Sequence, residues 1–164
     1  MKTAEEYGRE ARELFLSGYT CSQAVLGTFA EALGLDLKTA MKIASPFGGG
    51  LGRQREVCGA VSGMCMALGL AEGFGDPPEA KEKGDLYRKV QTLCASFRER
   101  FGTINCGEML RAASLKSETD PNPEKRTAEY YNKRPCPDII EEAARIFAAY
   151  AIENGLLEGD SENA

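Results

Sequence analysis

Apolar residues recur every three or four positions along most of this chain, the spacing of one helix face. In the C-terminal stretch, Ile140, Ala143, Ala144, Phe147 and Ala151 share a single stripe. No segment shows the alternation of apolar and polar residues that is typical of a half-buried strand. The pattern therefore predicts an all-α protein, a compact bundle of about five to seven helices forming one domain over residues 1–164.

Capping residues and helix breakers set the predicted bounds, and the predicted caps are Thr3, Thr20, Asp36, Asn105 and Cys136. The predicted helices cover about residues 3–16, 20–33, 37–44, 56–72, 78–101, 106–113 and 137–155. In the fifth, the apolar stripe contains Leu86, Tyr87, Val90, Leu93, Cys94, Phe97 and Phe101. Residues 114–135, with Pro121 and Pro123, are predicted to form a polar loop with one helical turn near 127–132. We expect residues 158–164 to be a frayed tail.

The predicted helix over 56–72 is rich in small residues, namely Gly59, Ala60, Ser62, Gly63, Ala67 and Gly69. Such residues weaken an exposed helix, but they let other backbones approach closely in a buried one. We therefore place this helix at the centre of the bundle. Its uncharged run, Val57 to Ala71, is too short for a membrane span, so we expect no membrane insertion.

Composition narrows the functional classes. The chain is 43% hydrophobic and 27% charged, as is ordinary for a soluble globular protein. A net charge of −5 provides no basic surface for nucleic acid. The N-terminus begins Met-Lys-Thr-Ala-Glu-Glu without an apolar signal segment, so we expect a cytoplasmic protein. In that compartment, six cysteines favour transient redox or metal chemistry over a disulfide framework.

Four of the six cysteines lie where a helix is predicted to begin, and the chain has no histidine: Cys21, Cys58, Cys106 and Cys136. A helix N-terminus carries partial positive charge, which stabilises a thiolate and lowers its pKa. We expect the four to converge in space. We also expect a lowered pKa for Cys58, which has Arg53 and Arg55 nearby in sequence.

The other two cysteines follow a different pattern. Cys94 lies in mid-helix on an apolar stripe and is interpreted as a small core residue. Cys65 follows Cys58 by two helical turns, which separates their Cα atoms by ~10.5 Å, beyond the ~7 Å limit for a disulfide. A disulfide partner of Cys58 should therefore come from Cys21, Cys106 or Cys136.

A run of glycines precedes Cys58: Gly48, Gly49, Gly50 and Gly52. Their backbone N–H groups could converge on an anionic ligand or cofactor, or the run could be a plain tight connection. Tyr130 and Tyr131 in the polar loop could cover a site or be ordinary half-exposed aromatics. The sequence leaves both alternatives open.

The string Cys58-Gly59-Ala60-Val61-Ser62-Gly63, with Cys21 upstream and Cys106 and Cys136 downstream, resembles the C_GCAxxG_C_C family of redox-active proteins. The resemblance covers about residues 10–150. It implies a small helical protein with a redox role, and it implies no substrate. Cys65 and Cys94 lie outside the family pattern.

These observations favour a thiol–disulfide oxidoreductase or electron-transfer protein that needs no cofactor. Cys58 is predicted to be the reactive thiolate, with Cys21, Cys106 or Cys136 as the resolving thiol. Its partner would be a redox protein or a small thiol or disulfide. The alternative is a binding module in which the same four cysteines hold zinc or an iron–sulfur cluster. The lack of a Cys-x-x-Cys pair among them disfavours that alternative. The oligomeric state is left open.

Overall fold

The computed structural model describes residues 1–158, in which no β-strand occurs. The predicted all-α class is confirmed. The described residues form eight helices rather than five to seven, because the single helical turn expected near residues 127–132 forms a short helix of its own. The helices are α1 (Ala4–Leu16), α2 (Cys21–Ala30), α3 (Leu37–Ala44), α4 (Gly59–Glu72), α5 (Ala80–Phe101), α6 (Cys106–Ala112), α7 (Ala128–Lys133) and α8 (Cys136–Glu153). Most of the predicted frayed tail, residues 159–164, lies outside the described residues.

Side-chain caps begin several helices at the predicted residues. Thr3 and Thr20 each form a reciprocal capping box with the residue three positions later. Asp36 and Asn105 each accept a hydrogen bond from the backbone N–H three residues on. The α2 helix is shorter than predicted. It ends at Ala30, and a tight turn follows in which Gly34 is left-handed, with φ of 82°.

The C-terminal helix α8, rather than α4, has the most extensive contacts in the bundle. It packs on α1 along most of its length and also contacts α2, α4 and α5. The residues of its predicted stripe are fully buried. The α4 helix packs mainly on α2 and also contacts α8. Its small side chains allow this close packing, and α4 is shorter than α8.

The long helix α5 buries only a narrow face. Leu93, Cys94 and Phe97 are buried, whereas Tyr87 is 54% exposed. The predicted stripe was therefore wrong at Tyr87. The helix contacts only α4 and α8 extensively, so its N-terminal half has little to pack against.

The connection from α3 to α4 is irregular. A short 3-10 helix (Ser45–Phe47) leads into a glycine turn, residues 48–52, where Gly49, Gly50 and Gly52 are left-handed. The chain then extends, and Val57 pairs with Asn105 in an antiparallel bridge. This bridge joins the segments that precede α4 and α6.

Among the residues that the structure describes, no helix combines the length and the apolar character needed to cross a membrane.

Candidate functional site

Four helix starts meet at one cavity of about 630 Å³. The cavity is lined by all four cysteines of the predicted set: Cys21, Cys58, Cys106 and Cys136. Their predicted convergence is confirmed, although 115 positions separate the first from the last. Apolar side chains form much of the remaining wall, including Phe15, Met109 and Ile140.

The helix starts differ in detail from the prediction. Cys21, Cys106 and Cys136 are each the first residue of a helix. Cys136 was predicted to be the cap, with Pro137 first, but Pro135 occupies the cap position. Cys58 was predicted in a first helical turn and is instead the residue before α4, with φ of −50° and ψ of 131°.

The two glycines of the Cys-Gly-Ala-x-x-Gly string both face α2. A Cβ at Gly59 would collide with the Cys21 Sγ and lie 2.9 Å from the Phe47 carbonyl oxygen. One helical turn later, a Cβ at Gly63 would lie 2.8 Å from the Ser22 carbonyl oxygen. Only a residue without a side chain allows α2 to approach this closely. The string is therefore the packing surface that holds Cys21 beside Cys58.

The glycine turn lies against two of the cysteines. Gly48, Gly49 and Gly52 line the cavity, while Gly50 is buried, where a Cβ would lie 2.7 Å from the Cys106 Cβ. The Gly49 backbone N–H acts to lower the pKa of Cys21 through a hydrogen bond to the thiolate. The turn thus supplies both a tight connection and a donor to a thiol.

Backbone hydrogen bonds tie Cys58 to the segment that carries Cys106. The Cys58 N–H donates to the Ile104 carbonyl at 2.8 Å, and the Cys106 N–H donates to the Glu56 carbonyl at 2.7 Å. Alternate residues of such a paired segment point to the same face. Cys58 and Cys106 therefore project toward one side of the bridge, where both line the cavity.

Burial raises the pKa of three of the four thiols. It raises the pKa of Cys58 well above its usual value, and the neighbouring Cys21 adds to the effect. Burial also raises the pKa of Cys21, despite the Gly49 donor, and that of Cys136 to about 12. The sequence prediction of a lowered pKa for Cys58 is wrong in this structure, because desolvation outweighs the positive charge of a helix end.

Cationic side chains surround the thiols. Five charged residues line the cavity: Arg53, Arg55, Arg126, Arg134 and the single carboxylate Glu124. The Arg55 guanidinium lies 3.7 Å from the Cys106 Sγ and also donates to the Glu118 carbonyl at 2.9 Å. Arg134 forms an ion pair with Glu124 at 3.4 Å, and its charge and a hydrogen bond to the thiolate act to lower the pKa of Cys136. The cavity is therefore strongly positive when its thiols are protonated.

The glycine turn and the residues after it hold two of these arginines in unusual backbone conformations. Arg53 has φ of 65° and Arg55 has φ of 61°, and Leu51 between the glycines has φ of 67°. Left-handed backbone at a residue with a side chain costs roughly 1–2 kcal/mol. Strain of this kind clusters at functional sites, where surrounding contacts maintain it.

The arginines of the polar loop line the cavity but were not among the site residues predicted from the sequence. Arg126, Tyr130 and Arg134 are spaced by four, which is the spacing of one helix face, and α7 lies between them. Both guanidiniums stack on the Tyr130 ring, at 5.1 and 4.3 Å from its centroid. The spacing was a usable signal, because it predicts that the three side chains meet.

The metal alternative has no geometric support in the described residues. Within residues 1–158, no three His, Cys, Asp or Glu side chains are grouped closely enough to hold a metal ion. The four cysteines line one cavity, but no three of them are grouped in this way.

The two remaining cysteines form a second pair. Cys65 on α4 and Cys94 on α5 lie close enough that a hydrogen bond from the Cys65 thiol lowers the pKa of Cys94. The predicted core position of Cys94 is confirmed, since it is 6% exposed. Neither residue lines the cavity.

A family model described as "Putative redox-active protein (C_GCAxxG_C_C)" matches residues 19–150, which is most of the chain. No curated protein and no solved structure matches it.

Proposed function

The chain belongs to the C_GCAxxG_C_C family, which is described as redox-active, and on this premise we propose that it carries out thiol–disulfide exchange. The supporting observation is the contact between the Cys21 sulfur and Gly59, the residue next to Cys58, inside a cavity that all four family cysteines line. Cys21 is also a neighbour whose charge acts on the Cys58 thiol, which makes these two cysteines the favoured disulfide pair.

We assign the attacking role to Cys21 and the resolving role to Cys58. Cys21 is half-buried and accepts hydrogen bonds from the Gly49 and Ser22 backbone N–H groups, which stabilise a thiolate. Cys58 is only 6% exposed, and its pKa is raised further than that of Cys21. This assignment reverses the prediction from sequence, because the buried thiol cannot meet a substrate first.

The proposed exchange has two steps. The Cys21 thiolate attacks one sulfur of a substrate disulfide, the substrate S–S bond breaks, and one substrate thiolate leaves with the proton that Cys21 gave up. Cys58 then loses its proton and attacks the Cys21 sulfur, which releases the second substrate thiol. The protein dithiol is oxidised to a disulfide, and the substrate disulfide is reduced to two thiols.

The test is to oxidise the reduced protein with 2-hydroxyethyl disulfide and map the products by peptide mass spectrometry. We expect a Cys21–Cys58 disulfide. In Cys58→Ser we expect a stable hydroxyethylthio adduct on Cys21, because the resolving step is lost. Cys94→Ser is the matched control and should form the Cys21–Cys58 disulfide at the normal rate.

Two outcomes would refute the assignment. A disulfide from Cys58 to Cys106 or Cys136 would keep the function and change the pair. A protein whose cavity thiols do not react with the disulfide, although all are alkylated after unfolding, would contradict thiol exchange itself.

A further inference from the structure

The cavity has more arginines than contact its cysteines. Arg55 and Arg134 each contact a cysteine. Arg53 and Arg126 have no hydrogen bond to a thiol, and within residues 1–158 neither forms a salt bridge. The Arg53 Nε is buried, and no hydrogen-bond acceptor is within reach in the described part of the chain.

A buried charged side chain elsewhere in the protein is paired with opposite charges. The Glu142 side chain is 8% exposed, and it has Arg100 at 2.7 Å and Arg145 at 2.6 Å. This is the usual rule, since an enclosed charge without a counter-charge is unfavourable. The cavity departs from the rule, because four guanidiniums and one carboxylate line it, and Asp120, on whose pKa Arg53 acts, forms no salt bridge with Arg53.

Arg126 is held in place without a carboxylate. Its guanidinium lies over the Phe15 ring, 4.5 Å from the centroid, and donates to the Phe15 carbonyl and the Tyr131 hydroxyl at the long distance of 3.5 Å. Aromatic stacking fixes the plane of a guanidinium and leaves its N–H edges available. Such a fork suits a carboxylate or phosphate group.

We propose that the cavity binds a small thiol or disulfide carrying an oxyanion, with Arg126 and Arg53 as the groups that recognise the anion. The volume of about 630 Å³ is within the range of small-molecule sites, and the apolar wall of Phe15, Met109 and Ile140 suits a short carbon chain. The protein as a whole carries a net charge of −5, so the attraction is specific to this cavity.

The reactive part of this inference rests on the proposed thiol exchange, and the binding part does not. The reaction arm compares three disulfides of similar length: 3,3′-dithiodipropionate with two carboxylates, neutral 2-hydroxyethyl disulfide, and cationic cystamine. Each rate with the reduced protein is divided by the rate of the same disulfide with dithiothreitol, which removes intrinsic reactivity. We expect the dicarboxylate to react roughly tenfold faster than the neutral compound, and cystamine to react slowest.

The binding arm uses suberate, in which two methylenes replace the two sulfurs of dithiodipropionate. Suberate should raise the thermal midpoint of the protein, since a ligand that binds only the native state stabilises it. The neutral 1,8-octanediol should not.

Variants separate recognition from folding. Arg126→Gln and Arg53→Gln should each lose most of the dicarboxylate preference and of the suberate shift, while Arg126→Lys should retain part of both. Arg88→Gln is the control, because it removes the same charge from a surface residue that pairs with Asp85 outside the cavity. This variant should keep the dicarboxylate preference and the suberate shift of the unmodified protein. If Arg126→Gln does not fold, the proposal is tested by Arg53→Gln and by salt, which should reduce the ratio of the dicarboxylate rate to the neutral disulfide rate.

The outcomes distinguish the two proposals. Equal normalised rates for the three disulfides, with no suberate shift, overturn anion recognition and leave thiol exchange standing. If no disulfide oxidises the cavity thiols, thiol exchange fails, and the suberate shift alone then decides whether the cavity binds an anion.

Discussion

Two groups of cysteines lie in this small protein, and they differ in almost every physical respect. The cavity group, Cys21, Cys58, Cys106 and Cys136, is placed at helix starts and surrounded by arginines. The pair Cys65 and Cys94 lies in the middle of α4 and α5, between packed helices. The pair follows no motif, whereas the cavity group is what the family string describes.

The comparison shows that a helix start is a weak predictor of thiol acidity. Burial raises the pKa of Cys21, Cys58 and Cys136 although each lies at a helix start. In contrast, the Cys65 hydrogen bond lowers the pKa of Cys94 to about 7 in mid-helix. A specific hydrogen bond to the thiolate outweighs desolvation at Cys94, and desolvation outweighs the helix end at Cys58.

The largest expected effect concerns the packing that only the cavity group requires. Gly59→Ala should destabilise the protein by up to about 3 kcal/mol, because its Cβ would meet the Cys21 sulfur and the Phe47 carbonyl. Gly84→Ala, in α5 with nothing near its Cβ, is the matched control and should stabilise by about 0.5–1 kcal/mol. Urea unfolding measures both. Equal effects at the two glycines would show that α2 does not approach α4 as closely as described.

A second prediction isolates the hydrogen bond in the other pair. Cys65→Ala should raise the pKa of Cys94 from about 7, because the thiolate loses its donor while its burial remains. The titration of the cysteine ¹³Cβ signals by NMR measures this without needing reagent access to a buried thiol. Cys58 serves as the internal reference and should titrate above 9 in both proteins. A Cys94 signal unmoved by Cys65→Ala would show that the pair is not hydrogen-bonded.

The smallest expected effect is a pH dependence of stability that belongs to the cavity group. The pKa of Cys136 is about 12 in the folded protein against an ordinary value near 9, so the unfolded state loses its proton first. Its stabilising contribution is complete below pH 9 and is lost as the pH rises toward 12. Between pH 8 and 10 this amounts to about 1 kcal/mol. Cys136→Ala should reduce the fall in unfolding free energy by that amount, and an unchanged slope would contradict the raised pKa.

Much of the fold was predictable because its signals are local. Helix caps act within four residues, and apolar stripes repeat every turn, so Thr3, Thr20, Asp36 and Asn105 began helices as predicted. The predictions were wrong where contacts between helices determine which residues are buried. Tyr87 continues a stripe that α5 does not bury, and α4 is less extensively packed than α8.

The sequence by itself determined the helical class, most of the helix bounds and the set of four cysteines, since caps, periodicity and a short motif are all written locally. Only the tertiary structure decided that these cysteines share one cavity, that Arg126 and Arg134 join them, and that Cys65 meets Cys94. It also decided the sign of the pKa shifts. Burial and hydrogen-bond partners are properties of groups distant along the chain, and they control thiol ionisation more strongly than position in a helix.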